Sequence, residues 1–182
     1  MDIMFDIETL STTPEAVVLS VGAVKFDAKG DHRSITDKQH WRLEIDNQMD
    51  NGRDVSESTM EWWSKQDIEV RAEVFAPDNR IPVQKFFGEF NRYMTGADKI
   101  WCQGPQFDAV IMENLYRQFS HHWNWQFWQI MDSRTLINTA KIMNPGYADP
   151  RKALQQNLHN AAEDSYYQAL AVQQIISDLD TM

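Results

Sequence analysis

The stretch Met4-Phe5-Asp6-Ile7-Glu8-Thr9-Leu10 constrains this chain more than any other. Apolar and β-branched residues run up to a Ser/Thr/Pro cluster at 11–14, which reads as a strand and its stop. Side chains two apart on a strand share a face. Asp6 and Glu8 therefore project together, while Ile3, Phe5 and Ile7 face the opposite way. Two carboxylates side by side in the apolar middle of a domain lose hydration and repel each other, so something must compensate them. A divalent cation is the simplest compensation.

Composition narrows the class. A chain of 182 residues with 42% hydrophobic side chains reads as one domain, 1–182, with a sizeable core. No stretch approaches the length of a membrane span, and the first residues lack the basic start of a secretory signal. The single cysteine, Cys102, excludes an internal disulfide and a thiolate zinc site, and a cytoplasmic location is expected. A net charge of −10 argues against a broad basic surface for nucleic acid. Bound divalent cations would nevertheless supply positive charge where a phosphate sits. The acidity thus disfavours tight binding of long duplexes and leaves a small or frayed end open.

Residues 16–26 form a long β-branched run, a core strand in which Gly22 marks a bulge or a close approach of another backbone. Residues 40–45 alternate as a third strand with one wet face. Short connections make these three strands an antiparallel meander. Helical spacing follows over 56–75, broken near 64–67, and over 82–94, where Val83, Phe86, Phe87, Phe90 and Tyr93 share a side. Residues 99–103 read as a short buried strand. Pro105 suits the first position of the next helix, whose apolar stripe is Phe107, Val110, Ile111, Leu115 and Phe119. Further helices are expected over 132–142, 152–158 and 161–179. Strands first, with helices between later strands, predict an α/β domain built on a mixed sheet.

Two later acids repeat the chemistry of the opening pair. Asp108 would lie in the first turn of the helix begun at Pro105. Asp164 would lie in the first turn of the last helix, where Asn160 and Glu163 resemble a cap and its reciprocal partner. An anion at a helix start is favoured by the dipole, so each acid has a structural reading beside the functional one. His159 precedes Asp164 by five residues, about 140° away on one ideal helix. If Asn160 caps, His159 lies outside the helix and can swing toward the face of Asp164. A lone histidine is usually a surface or core residue. One placed just before a helix-start acid, in a chain with a paired-carboxylate strand, is a candidate general base.

Phe5-Asp6-Ile7-Glu8-Thr9, Gly104-Pro105-Gln106-Phe107-Asp108 and His159-Asn160-Ala161-Ala162-Glu163-Asp164 resemble, in that order, the three motifs of the DEDDh-type 3′–5′ exonucleases. The short length and the Gly-Pro-x-Phe-Asp variant are similar to a small bacterial and phage subgroup of that family. The resemblance spans nearly the whole chain and implies a ribonuclease H-like fold, a mixed β-sheet flanked by α-helices. It implies two Mg²⁺ or Mn²⁺ ions held by Asp6, Glu8, Asp108 and Asp164, with His159 deprotonating the attacking water and nucleoside 5′-monophosphates as products. Oxygen-only ligands suit such hard cations. Two metals roughly 3.5–4 Å apart can clamp the attacking and leaving oxygens of a phosphodiester. Many members hold an asparagine shortly before the second-motif aspartate, where this chain has Gly104, Pro105 and Gln106.

Thr9 and Leu10 follow the ligand pair at a corner that in the family meets the terminal nucleotide, although a strand-end Thr-Leu is otherwise ordinary. Phe107 either stacks a base or joins the core stripe with Val110 and Ile111. Asp132, near the site by resemblance, is equally a helix cap, and Arg151 with Lys152 is a solvated pair or a phosphate contact. Trp123, Trp125 and Phe127 alternate, so one strand face would bury all three, in a core or at a homodimer seam. The expected function is a metal-dependent 3′–5′ exonuclease on single-stranded or frayed 3′ ends of RNA or DNA. Resemblance favours RNA, and contacts to the 2′-OH leave no motif of their own. The rival readings are a nuclease confined to short oligonucleotides and a non-catalytic module whose aromatic segment binds a partner.

Overall fold

A computed structural model describes residues 1–154 and 159–180. The elements run β1 (Asp2–Thr9), β2 (Val18–Phe26), β3 (Thr36–Leu43), α1 (Asp46–Asp50), α2 (Glu57–Ser64), α3 (Ile68–Phe75), β4 (Arg80–Ile81), α4 (Val83–Met94), β5 (Ile100–Cys102), α5 (Asp108–Gln118), β6 (Ile130–Asp132), α6 (Ser133–Met143), α7 (Arg151–Leu154) and α8 (Ala161–Asp180). The strands form one mixed sheet in the order β4-β3-β2-β1-β5-β6. Strands β1, β2 and β3 are the expected antiparallel meander, and β5 lies parallel to β1 on its other side. Of the helix expected over 152–158, residues 155–158 lie outside the described residues.

The period of two in β1 splits the core. Ile3, Phe5 and Ile7 face α4 and α5, where Phe86, Phe90, Ile111 and Leu115 are buried. Phe5 meets Phe90 edge-on at 5.9 Å, and Trp41 meets Phe90 at 5.5 Å. Such aromatic pairs add geometric preference to the burial of area. Met4 faces the opposite layer and packs with Ala169 and Val172 of α8. Asp6 and Glu8 share that face with Met4, so the carboxylates point toward the last helix.

Gly22 sets the distance between that helix and the sheet. It stands opposite Asp6 in the β1–β2 register, and a Cβ built on it would lie 2.0 Å from the carbonyl carbon of Ala161. Absence of a side chain lets the start of α8 touch strand β2 main chain to main chain, the close approach that a glycine inside a strand signals. Ser165, one turn into α8, fixes the contact with its hydroxyl 2.9 Å from the Gly22 carbonyl oxygen.

Three details depart from the sequence reading. The helix after β5 starts at Asp108, because Gly104 (φ +121°) opens a turn whose carbonyl accepts from Phe107 and Asp108 before α5 begins. Short elements β4, β6 and α1 fill stretches in which no period can be read. The alternating aromatics form no strand. Trp125 is buried, but a 3-10 turn at Phe127–Gln129, closed by Gln126 and Gln129, carries Phe127 outward to 81% exposure. Among the described residues no helix is long and apolar enough to cross a membrane.

Gly22→Ala should therefore push α8 off the sheet. A loss of about 1–3 kcal/mol, the usual range for overpacking, is expected as a lower urea midpoint. An unchanged midpoint would show that the two backbones can part freely.

Candidate active site

Each acid reaches one cleft by a different local rule. Asp6 and Glu8 come from the strand period at the carboxyl-terminal end of β1, where the β1–β2 register slips between Glu8 and Thr9. Such a bulge re-aims the side chains after it. Asp108 is the first residue of α5, immediately beyond β5 and beside β1. Asp164 lies in the first turn of α8. Asn160 does cap that helix, its Oδ1 accepting from the N–H groups of Ala162 and Glu163 at 3.1 Å each. Glu163 pairs with Lys38 at 2.6 Å.

His159 lies before the cap and outside the helix. Its φ of +67° is a left-handed conformation uncommon for a residue with a side chain. Its own N–H donates to Asp164 Oδ2 at 3.1 Å, folding the turn back over the acid. The imidazole packs edge-on against Trp62 at 4.7 Å and Trp63 at 6.1 Å between ring centres. Glu8, His159 and Asp164 each offer a ligand atom within 4.8 Å of the others. A cleft of roughly 340 Å³ is lined by all five residues, Asp6, Glu8, Asp108, His159 and Asp164, together with Gln103, Arg134, Arg151 and Gln168.

The electrostatics of this cleft are those of charge held without water. Burial raises the carboxyl of Asp6 well above the ordinary range, and the charges of Asp108, Glu8 and Asp164 raise it further. Glu8 is raised well above its usual value by burial, then by Asp164 and Asp108. Burial lifts Asp108 to about 7 against the pull of hydrogen bonds from backbone N–H groups and of the Arg134 charge. Gln168, one turn after Asp164 on α8, donates Nε2–H to Asp6 Oδ1 at 2.9 Å, while its own amide oxygen is buried without a partner. Acids arranged in this way suit a hard divalent cation, which replaces mutual repulsion with shared attraction and leaves the donors all oxygen. The residues present fit that group. Burial also lowers His159 below its usual value, which keeps the imidazole neutral.

The remaining sequence candidates separate. Thr9 lines a second cavity of roughly 380 Å³ that is walled by Trp62 and Trp63 and shares Ile7, Glu8 and Phe107 with the first. Phe107 also packs on the core, as its spacing with Val110 and Ile111 predicts. Leu10 does not face either cavity: it is 4% exposed, in a cluster with Val17, Leu19, Trp63 and Val74. Asp132 caps α6, accepting from the Arg134 N–H at 3.0 Å. Arg151 lines the acidic cleft, bound to Asp149. Sequence reasoning missed Gln168, Trp62 and Arg134. For Gln168 a signal existed, since it follows Asp164 by four and shares its helix face.

Raised carboxyl values carry a stability consequence of definite sign. The folded chain holds these protons more tightly than the unfolded one, so stability falls as pH rises from about 4, the ordinary carboxyl value, toward about 7 for Asp108. In EDTA the thermal midpoint should drop between pH 5 and 8, and excess Mn²⁺ should raise it most at the upper end. Asp108→Asn should lift the midpoint in EDTA at pH 8 and shrink the Mn²⁺ effect. A midpoint in EDTA that is flat across this interval would contradict the account.

Comparison with known proteins bears on the family and the fold. Residues 1–176 match the family model described as the 3'-5' exoribonuclease Rv2179c-like domain. An exodeoxyribonuclease of Enterobacteria phage T4 is 25% identical over 126 residues, 64% of this chain and 56% of the phage protein, so the chain spans little more than half that relative's length. Among solved structures, Exonuclease X in complex with 5′ overhanging duplex DNA aligns with a TM-score of 0.60 at 14% identity, covering 98% of this chain and 92% of that one. Cell-death related nuclease 4 aligns at 0.65 and 12% identity, over 97% and 64% of the two chains. The nuclease domain of 3'hExo, a DEDDh family member bound to rAMP, aligns at 0.55 and 13% identity, over 97% and 92%. These likenesses share the ribonuclease H-like fold, and the chain belongs to the 3'-5' exoribonuclease Rv2179c-like domain family.

Proposed function

We propose that this chain is a metal-dependent 3′–5′ exonuclease that removes nucleoside 5′-monophosphates from single-stranded or frayed 3′ ends. RNA is the first substrate in this reading, because the family spanning residues 1–176 is described as exoribonuclease. DNA is the second, because the phage relative is described as an exodeoxyribonuclease. The observation that carries the reading is the meeting of Asp6, Glu8, Asp108, Asp164 and His159 on one cleft. The free, buried Cys102 fits a reducing compartment such as the cytoplasm.

Two Mg²⁺ or Mn²⁺ ions held by Asp6, Glu8, Asp108 and Asp164 would supply charge stabilisation at the phosphoryl oxygens. The chain's own residues do the rest. His159, kept neutral by burial, takes the proton of the attacking water at a ring nitrogen. Trp62 and Trp63 pack on its ring and limit how it can turn. Gln168 holds one oxygen of Asp6, so that this carboxylate cannot rotate freely. The neighbouring cavity offers Phe107 and Trp62 as apolar walls for a terminal base, with Thr9 at its edge.

Shortening of 5′-labelled and 3′-labelled RNA and DNA, with Mn²⁺ or with EDTA, tests this directly. Asp6→Ala should abolish shortening and weaken Mn²⁺ binding. His159→Ala should keep Mn²⁺ and lose about 10²–10⁴ in turnover, the usual loss of a general base. Because burial moves His159 downward, the wild-type rate should be level above neutral pH and fall only on the acid side, where the imidazole takes up a proton. Absence of metal-dependent shortening from the 3′ end of either polymer would sink the reading.

A further inference from the structure

Arg134 is the second residue of α6, and its guanidinium forms part of the wall of the carboxylate cleft. Nη2 donates to the Gln103 carbonyl oxygen at 2.8 Å, on the loop leading into Asp108. Gly104 makes this seat available, because a Cβ there would lie 3.3 Å from Nη2. The guanidinium is thus held by a neutral carbonyl. The other arginine of the cleft, Arg151, differs: its Nε and Nη2 fork the Asp149 carboxylate at 3.1 and 2.6 Å. Among the described residues no carboxylate lies within ion-pair distance of the Arg134 side chain.

A guanidinium carries five donors in a planar fork that matches the oxygens of a carboxylate or a phosphate. Arg134 spends one nitrogen on a carbonyl and stays exposed, at the rim of a cleft whose floor is anionic. Its charge reaches Asp108 and lowers that carboxyl, yet among the described residues no acid hydrogen-bonds the remaining donors. The ligand they fit is an anion arriving from solvent, and on the function proposed above that anion is a phosphodiester. We propose that Arg134 forks a non-bridging oxygen of a phosphate in the incoming nucleic-acid strand, so that it governs strand affinity and not cation affinity. In a chain of net charge −10, a guanidinium that no ion pair neutralises among the described residues also gives the strand a direction of approach.

A substitution on each partner isolates the contact. Short single-stranded oligonucleotides would carry one neutral methylphosphonate at a time, at linkages other than the one cleaved, and KM and kcat would be measured with Mn²⁺. Wild type should lose about tenfold or more in KM at one linkage, the size of a charge-assisted hydrogen bond. Arg134→Gln should show a comparable KM rise on the unmodified strand and no further loss at that linkage. Its dependence of log KM on log salt should be shallower by about one. Arg134→Lys, which keeps the charge without the fork, should fall between. Mn²⁺ affinity measured by calorimetry without nucleic acid should match wild type in both variants. A methylphosphonate effect of equal size in wild type and Arg134→Gln at every linkage overturns the proposal, as does weakened Mn²⁺ binding in Arg134→Gln. If wild type shortens neither polymer, the nuclease reading fails first and takes this proposal with it. If wild type shortens them and Arg134→Gln is uncoupled from every linkage, only this proposal fails.

Discussion

Asp6 and Glu8 sit where burial and the charge of neighbouring carboxylates both oppose ionisation, Asp108 sits where burial outweighs the groups that favour it, and much of the molecule serves to hold them there. Repulsion of this kind would spread a flexible surface cluster apart. Here Asp6 and Glu8 cannot separate, because both are paired to β2, opposite Gly22 and Ser20, in a strand whose start at Ile3 and Met4 is also paired to β5. Asp108 cannot retreat while α5 is packed through Ile111, Met112 and Leu115 into the same core as Phe5. The free energy of apolar burial thus fixes charges in an arrangement that is unfavourable by itself, and a divalent cation would turn that arrangement into a binding site.

Around the acids lies a layer of groups that hold orientation. Trp63 is buried and donates its indole N–H to the Thr9 carbonyl oxygen at 2.9 Å, tying α2 to the end of β1. The adjacent Trp62 is 42% exposed and touches the His159 ring. One turn of helix therefore contacts both the second cavity and the candidate base. Gln168 contributes from α8 in the same manner, gripping Asp6 from the face opposite the apolar core. Outer partners of this kind commonly matter nearly as much as the ligands they orient.

Much of this was legible in the sequence, for identifiable reasons. The strand period places Asp6 and Glu8 on one face whatever surrounds them, and Asn160 is a good enough cap to leave His159 outside α8. The glycine at 22 signalled a bulge or a close backbone approach, and the structure has the approach. Contacts between distant segments were not legible. The bond from Gln168 to Asp6 joins residues 162 apart and depends on how α8 is seated on β1, which no local pattern encodes. Arg134 takes its meaning from a turn at Gly104 that the Pro105 helix signal obscured. Leu10 was drawn toward the substrate by its neighbour Thr9, yet the bulge after Glu8 turns it into the cluster under α2. The alternation of Trp123, Trp125 and Phe127 imitated a strand because side-chain period alone says nothing about whether a pairing partner is available.

The contact between Gly22 and Ala161 bears on how such a chain can change over evolutionary time. Helices usually rest on sheets through interlocked side chains, and each core substitution then shifts the helix slightly. Here the first turn of α8 rests on peptide groups that every sequence shares. The apolar layers farther along α8, at Ala169 and Val172, are free to exchange residues of similar volume without moving Asp164 relative to Asp6. Drift in the core is thereby decoupled from drift in the geometry of the acids, and one glycine carries a disproportionate share of that insulation.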